Sequence, residues 1–220
     1  MPATLGWTIE DWRNAYLAGA APEQLIGELI ANLDTADNAW IALSGSTQLQ
    51  AALFDLAAIL NKVGGNIRDL PLYGVPFAVK DNIDATGYDT TAGCPAYAYS
   101  PEQDANTVAR LKAAGAVLIG KTNLDQFATG LVGTRSPYGT VPNSFRPAVV
   151  SGGSSSGSAS VVARGLVPFA LGTDTAGSGR VPAGLNNLVG LKPTRGLFSI
   201  EGVVPACRSL DCVSVFAHTT

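Results

Sequence analysis

The amino-acid sequence predicts an α/β protein whose β-sheet is covered by helices on both faces. Two observations lead to this fold class. A chain of 220 residues with 46% hydrophobic content can bury a sizeable core. From residue 66 onward, short aliphatic runs bounded by Gly, Pro and Asn alternate with helix-like segments. We therefore expect a helical segment at residues 1–65 and an α/β core at residues 66–220.

Three helices are predicted in the first segment. The stretches "TIEDWRNAYLAGA", "PEQLIGELIANLD" and "STQLQAALFDLAAILNKVGG" carry apolar residues at helical spacing. Thr8 is a suitable N-cap for the first helix, and Pro22 fits the first turn of the second. The third stretch stops at paired glycines, which commonly end a helix.

The core segment is predicted to alternate strands and helices. The runs "VPFAV", "AVLIG" and "GLVPFALGTD" have the composition of buried strands, and "DANTVARLKAAG" that of a helix. The run "VVSGGSSSGSAS", residues 149–160, resembles a flexible linker but lies inside this pattern. Because helix-forming "ASVVARG" follows it, we expect the run to begin a helix, where backbone N–H groups and hydroxyls would gather.

Composition argues against several classes of partner. The net charge is −3 and no Lys/Arg-rich block is present, so nucleic acid is not an expected partner. We find neither a signal-peptide pattern at the N-terminus nor an apolar run of membrane-spanning length, and expect a cytoplasmic protein without membrane contact. Cys94, Cys207 and Cys212 lack CxxC spacing, and with a single histidine they predict reduced thiols rather than a metal site.

Two short motifs suggest other chemistries. "GAVLIGKT", residues 115–122, matches the phosphate-loop pattern, but a helical segment precedes Gly115 and "AVLI" is itself strand-like. Nucleotide binding therefore stays a minor alternative. "GSSSG", residues 153–157, fits a nucleophile elbow centred on Ser155. The only histidine, His218, lies two residues from the end, a poor place for a catalytic base.

Serine chemistry would therefore need a different base, and a buried lysine is the natural candidate. Lys80 ends the apolar run "VPFAV", where loss of hydration would favour its neutral amine. A second serine-bearing loop, "LGTDTAGSGRVPAG", places Ser178 after another apolar strand, with backbone N–H groups that could hold an oxyanion. The alternative is two structural turns and a lysine whose ammonium reaches solvent.

Three stretches in order, "VPFAVKDNID", "SGGSSSGSAS" and "GTDTAGSGRVPA", resemble the amidase signature family, whose members cleave amides with a Ser–Ser–Lys triad. The resemblance implies a mixed sheet, Ser178 as nucleophile, Ser154 as a bridging serine after a cis peptide, and Lys80 as base. It implies no metal or organic cofactor. The implied oxyanion-hole donors are the backbone N–H groups of Thr175, Ala176, Gly177 and Ser178.

Two further stretches, "DQFATGLVGTRSPYGTVPNSF" and "GLKPTRGLFSIEGVVPACRSLDCVSVFA", are most similar to allophanate hydrolases within that family. This resemblance implies a small anionic amide as substrate, contacted by Gly130, Tyr138 and Arg180. For Arg180 and Arg135, a structural ion pair or loop clasp is an equal alternative. The resemblance to allophanate hydrolases also implies a homodimer and a functional link to urea carboxylase.

Chains of this family are longer, so we expect only the N-terminal half of the full domain here, with an unpaired sheet edge. Two functional alternatives remain open. One is a glutaminase-type or general amidase, related to the tRNA-dependent amidotransferases, that hands ammonia to a partner. The other is an inactive fragment that needs a complementary chain.

Overall fold

A mixed six-stranded sheet forms the centre of the computed structural model, which describes residues 3–220. Its order is β1-β3-β2-β4-β6-β5, with β2 parallel to both β3 and β4 and the other pairs antiparallel. The strands are β1 (Trp40–Leu43), β2 (Pro76–Lys80), β3 (Val117–Thr122), β4 (Phe169–Asp174), β5 (Val189–Leu191) and β6 (Cys212–Ala217). The predicted mixed α/β fold is confirmed.

Six α-helices accompany the sheet in the described part of the chain. They are α1 (Ile9–Leu17), α2 (Pro22–Ala31), α3 (Ser46–Lys62), α4 (Asn106–Ala113), α5 (Ser156–Ala163) and α6 (Arg180–Leu185), with short 3₁₀ turns at Ile67–Asp69, Pro95–Tyr97 and Gln126–Ala128. Thr8 caps α1 as predicted, and its hydroxyl and N–H exchange hydrogen bonds with Asp11. Pro22 opens α2, also as predicted.

The central strands are covered on both faces. Every residue of β2, β3 and β4 is buried, although successive side chains of a strand point to opposite faces. Phe77 of β2 stacks on Phe169 of β4 with ring centroids 5.5 Å apart. The buried faces explain why these strands appear as continuous apolar runs rather than as alternating patterns.

The segment 1–65 contains a strand as well as its three helices. We predicted only helices there, but β1 pairs antiparallel with β3, with Ala42 opposite Lys121. Its four residues are too few to show a strand periodicity in the sequence, and the pairing partner lies some 80 residues later. The segment therefore contributes an edge strand to the common sheet, and the division at residue 65 stays a prediction.

The Gly/Ser run is part of the core and begins α5, as predicted. Residues 151–160 are all buried. Gly157 shows why small residues are needed, because a Cβ there would lie 2.6 Å from the backbone nitrogen of Asn123. The phosphate-loop interpretation of "GAVLIGKT" is wrong, because residues 117–122 form β3 and the Lys121 ammonium is occupied by Asp81, 3.3 Å away.

Candidate active site

Lys80, the last residue of β2, lies at the centre of the candidate site. Its side chain is fully buried, and its Nζ lies 2.7 Å from both Ser154 Oγ and Thr173 Oγ1. Burial lowers the pKa of Lys80 to about 7, against the opposing influence of nearby carboxylates, chiefly Asp125. At neutral pH a large share of the amine is therefore uncharged and able to accept a proton.

The Gly/Ser run presents Ser154 to this amine. Ser154 is fully buried and follows a cis peptide bond after Gly153, two residues before α5 begins. The next residue, Ser155, connects the Gly/Ser run to the backbone of Thr173 and Ser178 by hydrogen bonds. Its N–H donates to the Ser178 carbonyl at 3.2 Å, and its Oγ donates to the Thr173 carbonyl at 3.1 Å. Lys80 and Ser154 thus come into contact from separate chain segments, and the bond from Ser155 joins the Gly/Ser run to the segment of Ser178.

Ser155 itself is not the centre of a nucleophile elbow. Its Oγ is held by the backbone of Thr173, because it also accepts a hydrogen bond from the Thr173 N–H at 3.2 Å. The ring of His218 bonds elsewhere, with its Nε2 2.7 Å from the Val162 carbonyl oxygen. This geometry leaves Ser155 without a histidine base.

The loop that carries Ser178 is fixed by the carboxylate of Asp174, the last residue of β4. Asp174 accepts hydrogen bonds from the N–H groups of Gly177, Gly179 and Arg180 at 2.9, 3.1 and 3.0 Å. Burial would raise the pKa of Asp174, but the guanidinium of Arg180 and these N–H groups outweigh it and lower the pKa to about 2. The carboxylate is therefore ionised throughout the neutral pH range.

The expected oxyanion-hole donors divide into two groups. The N–H of Gly177 donates to Asp174 Oδ1, so its inclusion in the set is not supported by this geometry. The N–H groups of Thr175, Ala176 and Ser178 have no acceptor within residues 3–220. Those three remain the candidate donors.

The three expected substrate contacts lie in different surroundings. Arg180 forms a two-pronged ion pair with Asp174 at 2.9 and 3.0 Å, which matches the structural alternative considered above. Tyr138 lines a cavity of about 520 Å³ beside β1, whose lining includes none of the three triad residues. Gly130 has a φ of +152° and packs against Asp125, next to the Gly153–Ser154 peptide. Of the three, Gly130 is the one this packing places near Ser154.

The sequence analysis did not single out several residues of the site. Thr173 accepts a hydrogen bond from Lys80, and Asp125 and Asp174 organise the surrounding loops. Lys121 pairs with Asp81 inside the protein. A polar residue at the end of a buried strand was the available clue for Thr173 and Asp174.

Comparison with known proteins decides the family. The family model described as Amidase matches residues 25–220. The chain belongs to the amidase family. Urea amidolyase from Saccharomyces cerevisiae is 59% identical over 218 residues, covering 97% of this chain and 12% of that protein. A glutamyl-tRNA(Gln) amidotransferase subunit from Treponema pallidum is 44% identical over 209 residues, covering 94% of this chain and 39% of that protein.

Solved amidase structures share the fold. Kluyveromyces lactis allophanate hydrolase superposes with a TM-score of 0.92 at 58% identity, covering 98% of this chain and 35% of that chain. Native peptide amidase from Stenotrophomonas maltophilia superposes with a TM-score of 0.81 at 36% identity, covering 96% of this chain and 45% of that chain. The chain is thus allophanate hydrolase-like and spans between an eighth and a half of these relatives' lengths.

Neither a membrane-spanning helix nor a group of metal ligands is found among residues 3–220. No helix in that range is long and apolar enough to cross a membrane. The same residues hold no group of three His, Cys, Asp or Glu side chains placed to bind a metal ion.

Proposed function

We propose that this chain supplies the Ser–Ser–Lys triad of an amide hydrolase of the allophanate hydrolase type. The observation that carries the proposal is the buried Lys80 amine, which lies 2.7 Å from Ser154 Oγ. The loop that holds Ser154 is joined to the Ser178 segment by a backbone hydrogen bond. A lysine of ordinary pKa could not serve as a base at neutral pH, whereas burial brings its pKa to about 7.

In the proposed first step, the Ser178 oxygen attacks the amide carbonyl and forms the new C–O bond. Its proton passes to Ser154, whose own proton passes to the neutral amine of Lys80. The negative charge that develops on the carbonyl oxygen is met by the free N–H groups of Thr175, Ala176 and Ser178. These donors are fixed before reaction, because Asp174 holds the loop in place.

The tetrahedral intermediate then expels its nitrogen as the relay runs in reverse. Lys80 returns a proton through Ser154 to the departing nitrogen. The C–N bond breaks, ammonia leaves, and an acyl-enzyme ester remains on Ser178. Water adds to the ester with the same proton relay and releases the carboxylic acid. The relay uses no group outside the chain.

Allophanate is the proposed substrate because two observations agree. Kluyveromyces lactis allophanate hydrolase is 58% identical, well above the 36% of the peptide amidase. Urea amidolyase is also more similar to the chain than the tRNA amidotransferase is, at 59% against 44% identity. We also propose a homodimeric state, and a functional link to urea carboxylase that the 59% identity to urea amidolyase supports. A glutaminase-type amidase is the second candidate, supported by the 44% identity to the tRNA amidotransferase.

The test is ammonia release from allophanate, with malonamate and simple amides as comparators. It compares the parent with Ser178→Ala, which removes the nucleophile, and with Ser156→Ala as a matched control. Ser156 lies in the Gly/Ser run, two residues after Ser154, and is fully buried, yet its hydroxyl has no hydrogen-bond partner within residues 3–220. We expect activity in the parent and in Ser156→Ala, and loss in Ser178→Ala of at least about a thousandfold.

Each outcome separates one alternative from the others. Equal activity in the parent and in Ser178→Ala excludes Ser178 as nucleophile. Preference for glutamine over allophanate favours the glutaminase-type alternative. Activity that appears only when the chain is extended beyond residue 220 supports the complementary-chain alternative. In that case the Ser178→Ala comparison is repeated in the extended protein, where the triad assignment makes the same prediction.

A further inference from the structure

Asp125 is a buried carboxylate that no basic side chain neutralises. It is fully buried, and none of the ion pairs among residues 3–220 includes it. Three backbone N–H groups meet its charge instead. Val132 and Gly133 donate to Oδ2 at 3.2 and 3.0 Å, and Arg135 donates to Oδ1 at 2.9 Å. These bonds fold residues 130–135, hereafter the 130–135 loop, around one carboxylate.

The same residue contacts the Ser154 peptide. Its own N–H donates to the Ser154 carbonyl at 3.1 Å. A Cβ built on Gly153 would lie 3.0 Å from Asp125 Cγ, and one built on Gly130 would lie 2.8 Å from it. Glycine is thus required on both sides of the carboxylate, which fills the space between the 130–135 loop and the Gly153–Ser154 peptide.

The 130–135 loop also reaches the segment that carries Ser178. A Cβ built on Gly177 would lie 3.6 Å from Leu131 Cδ2, so Leu131 borders the Ser178 segment with room for about one methyl group between them. Leu131 is 43% exposed. Displacement of the 130–135 loop would therefore disturb both serines of the triad.

Asp125 also acts on the third member of the triad. Burial lowers the pKa of Lys80, and the Asp125 carboxylate is the largest of the influences that raise it again, ahead of Asp174 and Asp211. A fixed negative charge at this position keeps the amine a stronger base than burial alone would allow.

Building on the proposed function, we propose that Asp125 is a positioning residue of the triad. Its carboxylate holds the 130–135 loop against the Gly153–Ser154 peptide and places a fixed negative charge near Lys80. Asp125 makes no contact with substrate in this role and acts through Ser154 and Lys80.

The first test measures the titration of Lys80 without any catalytic assay. The stability difference between a protein and its Lys80→Met variant depends on pH through Lys80, so it reports that titration in any background. In Asp125→Asn, we expect the titration to move to lower pH, because an attractive charge is lost. Asp104→Asn is the matched control, since Asp104 also accepts a backbone N–H at 2.8 Å but lies beside Lys112. An unchanged Lys80 titration in Asp125→Asn overturns the proposal.

The second test measures the loop. A fluorophosphonate reacts with an activated serine, so its rate of attachment to Ser178 reports the assembled triad without an amide substrate. Asp125→Glu keeps the charge but lengthens the side chain by one methylene, which would push the 130–135 loop away. We expect an unchanged Lys80 titration and at least about tenfold slower labelling of Ser178, and wild-type labelling would refute the positioning role.

The two tests distinguish failure of this inference from failure of the proposed function. If neither the parent nor a protein extended beyond residue 220 is labelled at Ser178, the proposed function fails, while the Lys80 titration still decides whether Asp125 acts on the lysine. If the parent is labelled and neither variant differs from it in titration or rate, the proposed function stands and the role of Asp125 is refuted.

Discussion

Replacement of Lys80 by methionine should change how the stability of the protein depends on pH. Folding lowers the pKa of Lys80 from 10.5 to about 7, because the side chain is completely buried. Between these two values the unfolded chain binds more protons than the folded one, so stability contributed by this residue rises with pH. This contribution to stability is absent below about pH 7, where Lys80 is protonated in both the folded and the unfolded state and the folded protein must bury a charge.

The magnitude follows from the size of the shift. At 1.36 kcal/mol per pKa unit, the change from 10.5 to about 7 corresponds to about 5 kcal/mol across the whole window. Between pH 7 and pH 9, the parent should gain about 2 kcal/mol of unfolding free energy relative to Lys80→Met. Taking this difference cancels other buried groups that titrate in both proteins, such as Lys121.

The assay is urea unfolding of both proteins at several pH values between about 6 and 10, followed by circular dichroism. Ser156→Ala is the control, because its hydroxyl does not titrate in this range and its difference from the parent should stay constant. A parent-to-Lys80→Met difference that is also constant would show that Lys80 keeps an ordinary pKa. It would refute the argument that burial makes this lysine a base, and with it the proposed relay.

Three further outcomes are expected. Thr173→Val removes the hydroxyl that accepts from Lys80 at 2.7 Å and leaves the amine short of a partner. Amide turnover should fall by about ten- to a hundredfold, measured as kcat, with little change in fold by circular dichroism. Lys121→Met leaves the Asp81 carboxylate buried and unpaired, which should cost about 3–5 kcal/mol in urea unfolding. The double variant Asp81→Asn/Lys121→Met should recover part of that loss. Gly157→Ala places a methyl 2.6 Å from a backbone nitrogen and should lower unfolding free energy by about 1–3 kcal/mol. Unchanged unfolding in that variant would contradict the close packing of α5.

Elements and site residues could be predicted from the sequence where a local pattern of residues reflects their place in the folded protein. β2, β3 and β4 are continuous apolar runs because both faces of the central sheet are covered, so their positions could be predicted. The Gly/Ser run could be placed at a helix start because helix-forming residues follow it. Lys80 was recognisable because a lysine seldom ends a buried strand.

Other features depend on contacts that no local pattern records. β1 has four residues and becomes a strand by pairing with β3. Asp125 matters because backbone N–H groups seven to ten residues later turn towards it, which depends on the path of a loop. Tyr138 lines a cavity beside β1, a location that spacing along the chain does not reveal, and its contact with substrate stays a prediction.

The strand order has a consequence for how the protein reaches its working form. Lys80 and Thr173 are 93 positions apart in the chain, yet they touch because β4 pairs with β2 on the side opposite β3. Parallel pairings between such distant segments form slowly, since a long loop must close before any contact repays it. The relay can therefore exist only once β2 and β4 have paired, so the appearance of reactivity at Ser178 during refolding would report when that pairing forms.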